Sequence, residues 1–130
     1  MATITEMVTR REYQDFLNDC QRAPHGCVYL VLDPVSNRVK IGTSGNPYAR
    51  LLDIQAACPN DLEVLLVIPH GGRWLERELH ERFRDFRVRG EWFYYSGEIR
   101  DFVQQKRWQG VGQPDSASLA ASGYAHSVAA

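Results

Sequence analysis

Four side chains between residues 28 and 93 could do chemistry together: the phenol of Tyr29, the ammonium of Lys40, the guanidinium of Arg50 and the carboxylate of Glu76. Hydrolysis of a phosphodiester needs a base, a metal to generate or orient hydroxide, and positive groups facing the charge that develops on phosphate. Tyrosine, with a reference pKa of about 10, is a poor base at neutral pH unless a nearby cation favours its phenolate. A lone glutamate can hold Mg²⁺, because that ion keeps most of its waters. Lysine can meet phosphate as a compact charge. His80, one turn after Glu76, could orient it, contact phosphate or pack, and Thr43 and Ser44 could donate to phosphate or cap the following helix. Each residue also has a plainer reading: a packed strand aromatic, an exposed strand lysine, a solvated helix arginine and a surface glutamate.

Chemistry requires that the surrounding elements bring these residues together. Residues 27–32 and 38–42 are rich in β-branched and aromatic types, and Asp33-Pro34-Val35-Ser36-Asn37 supplies turn chemistry between them, which predicts a hairpin. If the turn pairs Leu32 with Asn37, Tyr29 faces Lys40, and directly opposite residues share one side of a sheet. One side then carries Val28, Leu30, Leu32, Val39 and Ile41, a core face. The other carries Tyr29, Val31, Arg38, Lys40 and Gly42, placing a phenol beside an ammonium on a wetter surface where Gly42 leaves room.

Asn46 as N-cap and Pro47 as first residue open a helix to about residue 57, with Leu51 and Ile54 facing inward and Arg50 on the rim of that stripe. Residues 62–68 form a continuous apolar strand, covered on one or both faces. A helix over about residues 73–85 buries Leu75, Leu79, Phe83 and Phe86, and Glu76, His80 and Arg84 share the adjacent flank. Residues 3–20 read as an amphipathic helix capped by Thr3 or Thr5, with Met7, Tyr13, Phe16 and Leu17 available to pack. Glu91-Trp92-Phe93-Tyr94 is a short extended or turn segment, in which Trp92 and Phe93 close the core, and 98–108 is a last helix. Beyond Gly110 periodicity is lost. The expected organisation is an N-terminal helix over 1–24, one domain over 25–108 and a disordered tail over 109–130.

The ordered series VYLV, KIG, ARL, ERELHERF and GEWF resembles the GIY-YIG nuclease superfamily. It is most similar to the branch, common in phages and bacteria, with a KIG second motif and a late ExxxHxxF…GEWF segment, the T5-phage-orf or meiotically up-regulated gene type. The resemblance covers roughly residues 26–95. It implies an α/β (α+β) fold, a small mixed three-stranded β-sheet flanked by helices. It also implies a metal-dependent DNA endonuclease holding one Mg²⁺ or Mn²⁺ ion. Carried over motif by motif, Tyr29 would be the general base, Arg50 would steady the phosphate, and Glu76 would bind the metal. Three departures stand out: Lys40 replaces the frequent second-motif tyrosine, Ile54 stands where some members have histidine, and the usual late asparagine has no counterpart near Glu91.

Composition sets the bounds. With 130 residues, 44% of them hydrophobic, the chain suits one compact domain with a tail. A net charge of −1 excludes a wholly basic nucleic-acid binder. The local run containing Arg84, Arg87 and Arg89 could still hold DNA. Three cysteines without CxxC spacing read as reduced, and four dispersed histidines argue no zinc site. No signal peptide or apolar run of about 18 residues is visible, so no membrane partner is expected. The expected setting is cytoplasmic, including the host cytoplasm for a phage protein. Without a separate DNA-recognition domain, specificity would come from loops, a homodimer or a partner protein. Two rival functions stay open: a catalytically inactive nucleic-acid-binding module of the same fold, and a phage-type interaction or inhibitor domain using Trp74, Trp92 and Tyr94.

Overall fold

A computed structural model describes residues 2–22 and 24–108. The expected tail over 109–130 lies outside the described residues. The elements are β1 (Ala2–Thr3), α1 (Ile4–Thr9), α2 (Arg11–Gln21), β2 (Cys27–Asp33), β3 (Arg38–Ser44), α3 (Pro47–Ala56) and β4 (Glu63–Ile68). They continue with α4 (Gly72–Arg82), a 3₁₀ turn (Arg84–Phe86), β5 (Arg87–Arg89), β6 (Trp92–Tyr94) and α5 (Gly97–Trp108).

The α/β class is as expected, but the sheet has six strands in the order β1-β4-β2-β3-β6-β5. The three extra strands are two or three residues long, too short for hydrophobic alternation to announce them. Nor is the sheet mixed. Both β3 and β4 pair antiparallel with β2 between them. The crossover through α3 therefore joins two parallel strands that are not neighbours, and every adjacent pair is antiparallel.

Both faces of the sheet are covered. On one side Ile4, Met7, Tyr13, Phe16, Leu17 and Cys20 of the N-terminal helices, with Leu51 of α3, pack on Tyr29, Val31 and Val67. On the other, Leu79, Phe83, Ile99, Phe102 and Val103 pack on Val28, Leu30, Val39, Ile41, Leu66 and Phe93. This overturns the expectation of a wet Tyr29 face: the phenol is fully buried, because the N-terminal segment roofs that side. The single helix expected over 3–20 is two. Thr3 opens α1 with a capping box to Glu6, and Arg10 takes an extended conformation (φ −85°, ψ 134°) that starts α2 at a new angle. Among the described residues no helix is long and apolar enough to cross a membrane.

The hairpin register differs from expectation by two residues. Asp33 pairs with Arg38, Val31 with Lys40 and Tyr29 with Gly42. The cause is Asp33, which accepts from the Val35 amide (3.0 Å) and the Ser36 hydroxyl (3.0 Å) and so tightens the turn further along the chain. A shift of two keeps every side chain on its predicted face but separates Tyr29 from Lys40. The phenol instead lies across Gly42, where an added Cβ would collide with its ring and hydroxyl. Gly42→Ala should therefore destabilise the fold by roughly 1–3 kcal/mol, as overpacking of a dense core does. Urea denaturation would test this, and wild-type stability would mean that the phenol moves aside freely.

Candidate functional site

Thr43, Arg50, Arg73, Glu76, Arg77 and Glu91 line one pocket of about 380 Å³. Thr43 comes from the end of β3. Arg50 stands in the first turns of α3, whose start is fixed by Pro47 and by Asn46 accepting from the Ala49 amide (3.2 Å). Arg73, Glu76 and Arg77 lie three and four apart on α4 and so share one face. Gly72 lets that helix begin close to the chain: its φ is +44°, and a Cβ there would strike the His25 carbonyl. Glu91 is held by the Ile41 amide, which donates to the Glu91 carbonyl (2.9 Å) as β6 approaches β3.

The phenol of Tyr29 lies buried beside this pocket, close enough for Arg50, Glu76 and Glu91 to act on it. Its hydroxyl is buried and has no hydrogen-bond partner among the described residues. Burial first, then the Glu91 carboxylate, push its pKa up to about 12, with Arg50 pulling back and Glu76 adding to the push. Arg50 thus acts on the hydroxyl both as a charge and as a nearby donor that falls short of full hydrogen-bond geometry. Lys40 does not take the predicted part beside the phenol. Its Nζ lies 3.4 Å from Glu91 Oε1 and 5.4 Å from the centre of the Trp92 ring.

Glu76 is the second perturbed group. Partial burial and the neighbouring Glu91 hold its pKa above the ordinary carboxylate value, against His80, the Thr43 backbone and Arg73. Two carboxylates therefore repel across the pocket. His80 Nε2 is 2.8 Å from the Ile41 carbonyl. A carbonyl only accepts, so that nitrogen carries the proton and Nδ1 is the free position. The ring stands edge-on to Phe93 at 5.0 Å, which fixes His80 one turn from Glu76.

Thr43 and Ser44 have structural partners. Thr43 Oγ1 donates to the Cys27 carbonyl (2.7 Å), and Ser44 Oγ accepts from the Asn46 amide (2.9 Å). The arginine run lies elsewhere. Arg84 pairs with Glu81 at 2.6 Å, Arg87 Nε donates to the Gly90 carbonyl (2.8 Å), and Arg89 is exposed at the end of the edge strand β5. None of the three lines this pocket. The site thus gathers Tyr29, Arg50, Glu76 and, one step out, Lys40 and His80. Sequence reasoning passed over Glu91, Arg73 and Arg77. The helical spacing of 73, 76 and 77 was a usable signal, and Glu91 was visible only as the opening of GEWF.

The family model of the T5orf172 domain matches residues 26–109. That domain family is associated with GIY-YIG-like and phage nuclease-type proteins, which points to a nuclease-like or DNA-interacting module. No curated protein and no solved structure matches the chain.

Two outcomes follow from the electrostatics. Tyr29→Phe removes a buried hydroxyl that lacks a partner, so thermal or urea unfolding at pH 7 should show unchanged stability or a gain of up to about 1 kcal/mol. A clear loss would mean the hydroxyl is bonded in solution. Glu91→Gln removes a negative neighbour that raises Glu76, so the Glu76 carboxyl, followed by NMR against pH, should titrate lower than in the wild type. An unmoved titration would show that the two carboxylates do not interact.

Proposed function

We propose that this chain, which belongs to the T5orf172 domain family, is a metal-dependent endonuclease hydrolysing phosphodiester bonds in DNA. The observation that carries the reading is one pocket lined by two mutually repelling carboxylates and three arginines, with the buried phenol of Tyr29 within electrostatic reach of Arg50, Glu76 and Glu91.

Magnesium or manganese fits the donors on offer, which are hard carboxylate oxygens from Glu76 and Glu91. Among the described residues no group of three or more His, Cys, Asp or Glu is placed to hold a metal. An ion there would have one or two protein carboxylates and keep several waters, the habit of magnesium. When bound, it would supply charge neutralisation at the phosphate and a more acidic water.

The protein's own groups divide the remaining work. Arg50, Arg73 and Arg77 present guanidinium groups that pair two donors with two phosphate oxygens. As the attacking water's oxygen bonds to phosphorus and the bond to the leaving sugar oxygen breaks, Tyr29 in its phenolate form takes the water's proton, and solvent in the open pocket protonates the departing oxygen. In the metal-free protein the phenol is held protonated by burial and by Glu91 and Glu76. Neutralising the carboxylates removes part of that restraint and leaves Arg50 favouring the phenolate. Lys40 holds Glu91 in place through their ion pair. His80 braces α4 against β3, keeping Glu76 at the rim. Sequence preference would come from the loops, a second copy or a partner protein.

One observation favours the rival reading of a binding module without catalysis: a tyrosine pushed up to about 12 stays protonated at neutral pH and so offers almost no base. A cleavage assay separates the two. Wild-type protein should nick supercoiled plasmid, or cut branched or single-stranded DNA, with Mg²⁺ or Mn²⁺ and not with chelator. Glu76→Gln should abolish cleavage yet keep the fold, since it removes a carboxylate that the pocket disfavours in its charged form. Arg50→Ala should slow cleavage by roughly 10²-fold, the effect of losing one transition-state donor. A folded wild type that cuts none of these substrates yet binds DNA in a salt-dependent way would favour the binding module instead.

A further inference from the structure

Among the described residues Trp74 is the most exposed large apolar side chain. Tryptophan is highly buried on average, yet Trp74 is 80% exposed in the first turn of α4. It is directly preceded along that helix by Arg73, which lines the acid–arginine pocket. Arg73 also lines two further cavities. One, of about 590 Å³, is formed with His25, Gly71 and Trp74, and the other, of about 380 Å³, with Pro24, His25, Gly26, Thr43, Ser44 and Gly45. The three cavities thus share one residue, Arg73, which stands between the carboxylate pair on one side and the open indole of Trp74 on the other.

We infer that Trp74 stacks on an unpaired base of the nucleic-acid strand whose phosphate occupies the neighbouring pocket, so that the substrate is single-stranded or locally unpaired. The inference rests on the phosphate-binding part given to Arg73 above and names the substrate class that reading leaves open. Charge complementarity identifies the occupant. A phosphate on Arg73 and Arg77 is negative, and the group attached to it within reach of Trp74 is a sugar and its base. In a duplex both faces of that base are stacked on its neighbours and only its edges are open to the grooves. An indole face can engage it only once it is unpaired, and aromatic stacking of that kind recurs where single strands are bound without sequence preference. His25 lines the same cavity as Trp74.

The test is fluorescence anisotropy, with chelator present so that no cleavage occurs, on a labelled single strand and on its duplex. Wild type, Trp74→Ala and Trp74→Phe would be compared. Trp74→Ala should weaken single-strand binding by roughly ten- to a hundredfold, the size of one base–aromatic stack. Duplex binding should change by less than about threefold, because that complex rests on phosphate contacts. Trp74→Phe should restore most of the loss, which a merely structural tryptophan would not predict. A wild-type strand carrying an abasic position should reproduce the Trp74→Ala loss. Equal losses on single strand and duplex, or no loss on either, would overturn the inference. So would a Trp74→Ala defect confined to capture of a protein partner. Trp74-dependent single-strand binding by a wild type that never cuts would sink the hydrolase reading and leave this one standing. Cleavage with Trp74-independent binding would do the reverse.

Discussion

The contact on which the site depends is the phenol of Tyr29 lying across the bare backbone of Gly42. Gly42 admits the ring only because no Cβ stands there, and the ring reaches the pocket only because the two residues are paired across β2 and β3. That pairing is set some distance away, by the Asp33 carboxylate gathering the Val35 amide and the Ser36 hydroxyl into the turn. A slip of one residue would invert both faces of the hairpin. It would drive Val28 and Leu30 under the N-terminal helices and leave Tyr29 among Leu79 and Phe83. The register that packs two separate apolar layers is thus also the register that delivers a phenol to the rim.

The electrostatics of the rim oppose folding and favour an ionic guest. A carboxyl pushed up by burial and by a second carboxylate destabilises the native state at neutral pH, where its charged form dominates. A partnerless buried hydroxyl also costs stability. The arginines answer only part of this. Lys40 is held by Glu91, and His80 donates to a backbone carbonyl. Groups retained against stability in one place, with cations beside them, are the expected signature of a site shaped for function.

Much of this was legible in residue pattern, and the failures have identifiable causes. Side-chain alternation assigned Val28, Leu30, Leu32, Val39 and Ile41 to one core, where they are found. The partner of Tyr29 was misread because pattern fixes parity and leaves the register to the turn, where Asp33 outweighed the expected Leu32–Asn37 closure. The wetness of the Tyr29 face was misread for a different reason. Nothing within the hairpin shows that residues more than ten positions upstream will cover it. Glu91 escaped because its partnership with Glu76 joins a loop to a helix far apart in sequence, a relation no local period encodes. The arginine run was legible as charge but not as position. Its segment carries the chain to edge strand β5, and Arg84 and Arg87 bond within their own segment.

The N-terminal segment belongs to the same physical argument, although the family match begins at residue 26. Ala2 and Thr3 pair with Val64 and Glu63 and so cover an edge of β4 that would otherwise be open. Met7, Phe16 and Leu17 then lie over Tyr29 and Val31 in one apolar cluster. Burial is the first cause of the raised tyrosine pKa, so these helices help set the acidity of a group at the rim while lining none of its pocket. Stripping them away would expose the phenol to water and bring its pKa back toward the ordinary value. A roof of methionine, phenylalanine and leucine is in this sense part of the chemistry, because it decides what charge the phenol beside the pocket can bear.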